Sequence, residues 1–357
     1  MGDPGDRLLV GPRQVVHPRR DDRRERVAQD DDLQPVGERR ARDVDGVRGR
    51  RLCAGGAERR GEQCAGEDGG EESADRTHGG RPSDGRQPTP RRTTEAVPDP
   101  VLRVTREGAR ARVVLTRPEV RNAFNAELIA QLRDTFLALG GDPAVRVVVL
   151  EGEGKTFCGG ADVNWMRGSL ELSEDENVRD AETMSDMFRA IDRCPKPVIA
   201  KVHGAALGGG AGLCAVADAV VADEEALFGF TETKLGIIPA VISPFVLAKI
   251  GASHARRLFL TGERFDAARA QTIGLVHEVV HADALDGTVE AIAHELESAG
   301  PNAVAAAKAL VANVRAASYD ESRGLTARAI AKQRTTEEGQ EGLRAFLERR
   351  PAAWVAN

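Results

Sequence analysis

The chain has 357 residues, 30% of them charged, and a net charge of −6, which is room for one or two domains and the wrong sign for a nucleic-acid surface. No apolar run approaches the roughly eighteen residues of a membrane span, and the N-terminus lacks the apolar stretch of a secretory signal. Five cysteines without CxxC spacing suit reduced thiols in a cytoplasm rather than a disulfide frame.

Composition divides the chain near residue 98. Residues 1–98 contain about twenty Arg and a similar number of acids, but no Lys, Ile, Phe, Tyr or Trp. Such a segment buries too little apolar surface to offset its ordering entropy. It reads as a disordered extension, or as translated sequence upstream of the true start. Its charges nearly cancel and it offers no aromatic ring for base stacking, so nucleic acid is not the expected partner.

The remainder, 99–357, is the folded part. Residues 101–105 and 111–116 read as a hairpin, and Asn125 caps a helix that carries Leu128, Ile129, Leu132, Phe136 and Leu139 at helical spacing. A buried strand is predicted at 145–150, followed by a glycine turn, Phe157-Cys158-Gly159-Gly160-Ala161-Asp162. A polar amphipathic helix follows at 173–191, with Met184, Met187, Phe188 and Ile191 on one face, then a strand at 198–202. A second glycine run, Gly204-Ala205-Ala206-Leu207-Gly208-Gly209-Gly210, opens a short helix at 211–217. Strands are expected at 219–222 and 226–230. From 241 onward the pattern is helical, interrupted by a brief strand at 276–280. Strands alternating with helices imply an α/β fold with a mostly parallel sheet.

The chemistry lies in the two glycine runs and in Glu232 after them. Glycines leave peptide N–H groups open to a ligand, and a helix N-terminus adds partial positive charge. The N–H groups of Ala161 and Gly209 aimed at one carbonyl oxygen would stabilise an oxyanion, and Glu232 would move protons. Each run alone fits a packing turn equally well; the pair in this order favours the enzyme. Gly210–Ala215 also fits GxGxxA, but the helix after it is too short for a dinucleotide crossover. Cys158, Cys214 and His203 fit structural positions, Asp162 a helix cap. Trp165 and Met166 read as an acyl-pocket wall or as core. Phe228, Phe230 and Ile237 are walls expected to raise the pKa of Glu232. Glu174, Asp175, Glu176, Asp180 and Glu182 form a solvated helix face from which one acid is able to enter the pocket. Lys308, Arg344 and Arg350 read as surface cations or as contacts for an anionic group of a ligand.

Lys155–Asp162, Val202–Gly210 and Phe228–Pro239, in this order and spacing, resemble the crotonase (enoyl-CoA hydratase/isomerase) superfamily over about 101–354. The resemblance implies a spiral of ββα units over 99–295, a helical trimerisation region over 296–357, and a homotrimer or homohexamer. It implies an acyl-CoA ligand with no further cofactor and no metal. The thioester oxygen falls to Ala161 and Gly209, and Ala161, Asp162, Val163, Asn164, Gly209 and Gly212 line the substrate site. Hydratases of this type carry two glutamates. The second is present as Glu232; Gly212 stands where the first is expected. The stretches Asp162–Met166 and Thr231–Pro244 are similar to methylglutaconyl-CoA hydratases, which take branched or carboxylated enoyl-CoAs. Three readings follow: a hydratase, a single-glutamate enoyl-CoA isomerase, or a catalytically weak binding subunit.

Overall fold

The computed structural model describes residues 100–355. The extension expected over 1–98 lies outside them. The hairpin β1 (Leu102–Glu107) and β2 (Arg110–Leu115) opens the fold, and α1 (Ala126–Gly141) begins where the Asn125 side chain accepts the Leu128 N–H. Then come β3 (Val147–Gly152), α2 (Val163–Gly168), α3 (Glu174–Asp192), β4 (Val198–Val202), β5 (Ala205–Leu207), α4 (Gly209–Val216), β6 (Ala219–Asp223) and β7 (Leu227–Gly229). The chain continues through α5 (Ser243–Thr261), β8 (Arg264–Asp266), α6 (Ala267–Thr272), β9 (Glu278–Val280), α7 (Leu285–Ser298), α8 (Pro301–Ala316), α9 (Tyr319–Thr335) and α10 (Glu337–Glu348).

Six strands form the main sheet in the order β1-β2-β3-β4-β6-β9. Only the β1–β2 hairpin is antiparallel; the other neighbours are parallel. Parallel strands joined by helices are covered on both faces, which is why β3 opens with four apolar residues and β4 is apolar except at Lys201, which pairs with Glu151 of β3 at 3.1 Å. Alternation along β3 splits the core. Val148 and Leu150 join α1, α3, α4 and α5 on one face, whereas Val147 and Val149 meet Leu285, Val289 and Ala293 of α7 on the other.

A second, three-stranded sheet, β5-β7-β8, stands apart. Neither β5 nor β8 is foreseen by the sequence pattern. Each is three residues long, too short for an alternation to declare itself, and β5 is embedded in the second glycine run. The short α2 is foreseen only through Asp162, which fits a helix cap and caps it. Helix α5 is kinked at Gly251, which takes φ 74°. Helix α8 is tied to the sheet by the Lys308–Asp218 ion pair at 2.6 Å, and α8 and α9 contain no buried residue.

Candidate active site

The two glycine runs are stitched to each other by main chain. Cys158 donates its N–H to Ala205 O at 3.0 Å and accepts from Leu207 N–H at 3.0 Å. The backbones approach so closely that a Cβ on Gly160 would lie 2.9 Å from Leu207 O, and one on Gly210 would collide with Cys158 O. Gly160 also needs a φ of 95°, a conformation that side-chain-bearing residues avoid. The glycine pattern thus records contact between two turns.

Hydrogen bonding within the turns decides which amides remain free. Gly159 N–H goes to Arg121 O (2.8 Å), Asp162 N–H to Phe124 O (2.9 Å) and Gly208 N–H to Gly229 O (2.8 Å). The N–H groups of Ala161 and Gly209 have no acceptor among the described residues. Gly209 is the first residue of α4, where an orphan N–H is the rule. Both residues line a cavity of about 410 Å³ that also takes in Glu232.

Glu232 opens a 3-10 turn after β7. Its Oε1 lies 3.2 Å from where a Gly208 Cβ would stand. Its Oε2 is buried with no hydrogen-bond partner. Burial therefore pushes this carboxyl above its ordinary value, against a smaller opposing effect of its own backbone N–H. The charged form is penalised and the proton retained.

The other expected residues are distributed around the cavity and not all on its wall. Gly212 does not line the cavity. It is fully packed: a Cβ there would lie 2.5 Å from Ile242 Cγ2 and 3.0 Å from Phe188 Cε1. Asp162, Val163 and Asn164 are also absent from the cavity wall. Asp162 caps α2, accepting Asn164 N–H at 2.8 Å, and pairs with Arg117 at 2.7 Å. Burial opposes its ionisation, yet Arg117 and the Asn164 N–H hold the carboxyl below its usual range. Val163 and Asn164 are exposed. Phe228 and Phe230 are core residues beneath the site; of the three proposed walls only Ile237 faces the cavity. Lys308 and Arg350 are committed to Asp218 and Glu341. His203 Nε2 meets Gly154 O at 2.9 Å, and burial pushes the Cys158 thiol up to about 12, so neither is set up as a base or nucleophile.

The cavity has a wall that the motifs do not reveal. Asn177, Asp180, Ala181 and Met184 of α3 line it, at the i, i+3, i+4, i+7 spacing of one helix face. Trp165, Met166, Val241 and Ile242 complete the apolar part. The signal was present as helical periodicity, but Met184 alone among these four is apolar enough to register.

Fold and motif order are those of the crotonase architecture. The chain belongs to the enoyl-CoA hydratase/isomerase family, whose model matches residues 105–357. It is 36% identical to a solved enoyl-CoA hydratase from Shewanella pealeana, with 71% of this chain and 96% of that one covered and a TM-score of 0.69. It is 36% identical to Pseudomonas aeruginosa AtuE over 72% of this chain and all of that one, with a TM-score of 0.70. A crotonyl-CoA hydratase from Syntrophomonas wolfei is 34% identical over 244 residues, 68% of this chain and 93% of its own length. The chain is an enzyme of this family, and no described helix is long and apolar enough to cross a membrane.

Proposed function

We propose that the protein adds water across the 2,3 double bond of an enoyl-CoA whose acyl group is branched and uncharged. The observation that carries this reading is the convergence of two unsatisfied amides, Ala161 and Gly209, and the Glu232 carboxylate on one cavity. The thioester oxygen accepts both N–H groups. Charge that develops there when C3 is attacked is met by donors already in position, so no reorganisation is needed at the moment of reaction. Glu232, holding its proton by burial, delivers it to C2.

The cavity lining supports an uncharged acyl group. Leu235, Ile237, Ile238, Val241, Ile242, Met166 and Met184 are apolar, and among the described residues no Lys, Arg or His lines it. A carboxylated substrate of the methylglutaconyl type would bring a second negative charge next to Asp180 and Glu232 without a partner. Val163 and Asn164, exposed on the same short helix as Trp165 and Met166, are available to the CoA portion. CoA enters as part of the substrate and the reaction needs no further cofactor. Exposed Phe346 and Leu347 on α10 and Val311 on α8 support assembly as a homotrimer or homohexamer, and the cysteine usage supports a cytoplasmic site of action.

A second reading is favoured by Gly212: with no carboxylate on α4, Glu232 alone would carry a proton between C2 and C4, as an isomerase requires. Following the enoyl-thioester absorbance with crotonyl-CoA, a 3-methyl-branched 2-enoyl-CoA and a 3-enoyl-CoA separates the two. Hydration removes conjugation from the first two; isomerisation creates it in the third. No change with any of the three would leave a binding subunit.

A further inference from the structure

Hydration needs a group to hold the attacking water as well as one to protonate C2. The usual place for it, on α4, is closed. Gly212 has no side chain, and Ile242 Cγ2 and the Phe188 ring occupy the volume into which one would project. Among the described residues, the titratable side chains on the cavity wall are Glu232 and Asp180. Among the acids of α3, Glu174, Asp175, Glu176, Glu182 and Asp186 are exposed and Asp180 and Asp192 half-buried; of these two, Asp180 lines the cavity. It sits one turn before Met184, whose Cε lies 3.2 Å from the Cβ position of Gly209. Asp180 therefore lines the same cavity from the turn of α3 that precedes the residue reaching Gly209.

We infer that Asp180 is the second catalytic carboxylate of the hydration, holding the attacking water from the α3 wall. This inference rests on the hydratase reading above. The water oxygen bonds to C3 while its proton passes to the Asp180 carboxylate. The C2–C3 π pair moves toward the thioester, and the resulting enolate oxygen is held by the Ala161 and Gly209 N–H groups. Glu232 gives its proton to C2. The proton on Asp180 then returns to Glu232 through solvent. One water is consumed, both carboxyl groups recover their starting states, and no oxidant or reductant enters. Burial raises the pKa of Asp180 as well, with the Trp165 indole N–H partly opposing, so the group is a stronger base than an exposed aspartate.

The test uses the full chain with crotonyl-CoA. Asp180→Asn is expected to lower kcat about a hundredfold with KM nearly unchanged, and to abolish the fall in kcat toward acid pH that protonation of a base produces. Asp180→Ala, which introduces a better helix former and so preserves α3, is expected to lose the same activity and to regain part of it when formate is added. The inference is overturned if Asp180→Asn keeps kcat within about threefold of the unsubstituted value, a range too small for a lost base. A large loss with an unaltered pH profile and no rescue by formate overturns it equally, because that pattern marks a structural residue. Absence of hydration in the unsubstituted protein overturns the hydratase reading and this inference together; hydration present but indifferent to Asp180 overturns this one alone.

Discussion

Gly209 and Gly212 sit less than one turn apart on α4 and differ in what they reach. Gly209 lines the cavity with an unspent N–H, and a Cβ there would clash with the Phe124 ring at 2.7 Å. Gly212 faces inward, against Phe188 and Ile242, and does not line the cavity. At both, large side chains take the place of a Cβ; only the first presents its main chain to the cavity. The difference teaches that a missing carboxylate is more than one absent residue. The volume it would need is occupied by neighbours that form part of the core, and Phe188 is itself stacked edge-on against Phe124 at 6.1 Å. Restoring the acid at Gly212 alone therefore does not restore a site.

The sharpest way to break this contrast is at the open end. Glu232→Gln should reduce turnover by about a hundred- to ten-thousandfold, read as initial rate of thioester absorbance change. It should not weaken the fold. A carboxyl whose folded pKa is raised is neutral in both states at low pH; as pH rises the unfolded chain ionises first, so stability is lost between the unfolded and folded pKa values. Glutamine lacks that loss. Denaturation of the Glu232→Gln variant should thus match the unsubstituted protein near pH 4 and exceed it at pH 8. A variant less stable at pH 8 would contradict the unpartnered burial of Oε2.

At the closed end, Gly212→Glu should destabilise by about 3–5 kcal/mol through overpacking and a buried unpaired charge, with no gain in hydration. A rise in hydratase activity with an unchanged denaturation midpoint would refute the packing argument. Ile242→Ala should cost about 2–4 kcal/mol as a cavity. In that background Gly212→Glu should cost less than it does alone, by a coupling of about 0.5–3 kcal/mol in a double-mutant cycle. The smallest effect is expected at Gly208, where φ is 51° and a Cβ would stand 3.2 Å from Glu232 Oε1. Gly208→Ala should cost about 1–3 kcal/mol of strain, measured by urea denaturation, and displace the carboxylate.

Much of this was legible in the sequence. The order of Ala161, Gly209 and Glu232 identified the architecture, because glycine runs and a following acid are local patterns. The long elements were legible too: Leu128 to Leu139 and Met187 to Ile191 mark their helices by period. What escaped was tertiary. Nothing local to Gly212 says that Ile242, some thirty residues on, fills its side-chain space. Nothing in a run of acids on α3 says that Asp180 turns inward while Glu176 turns back to cap Ser173. The family resemblance assigned Asp162, Val163 and Asn164 to the substrate site, and the helix that Asp162 caps carries Val163 and Asn164 outward, away from the cavity wall.

The two turns grip each other through main-chain atoms, with Gly160 against Leu207 O and Gly210 against Cys158 O. The spacing of the two polarising amides is consequently a property of peptide geometry and is indifferent to which side chains surround them. On the proposed reading, selectivity is housed elsewhere, in Asn177, Ala181 and Met184 of α3 and in the strip from Leu235 to Ile242. Diversifying those positions while keeping Asp180 should therefore retune which acyl tail is accepted and leave the two amides where they are, so that this scaffold keeps its catalytic handle and its taste in substrates on largely separate residues.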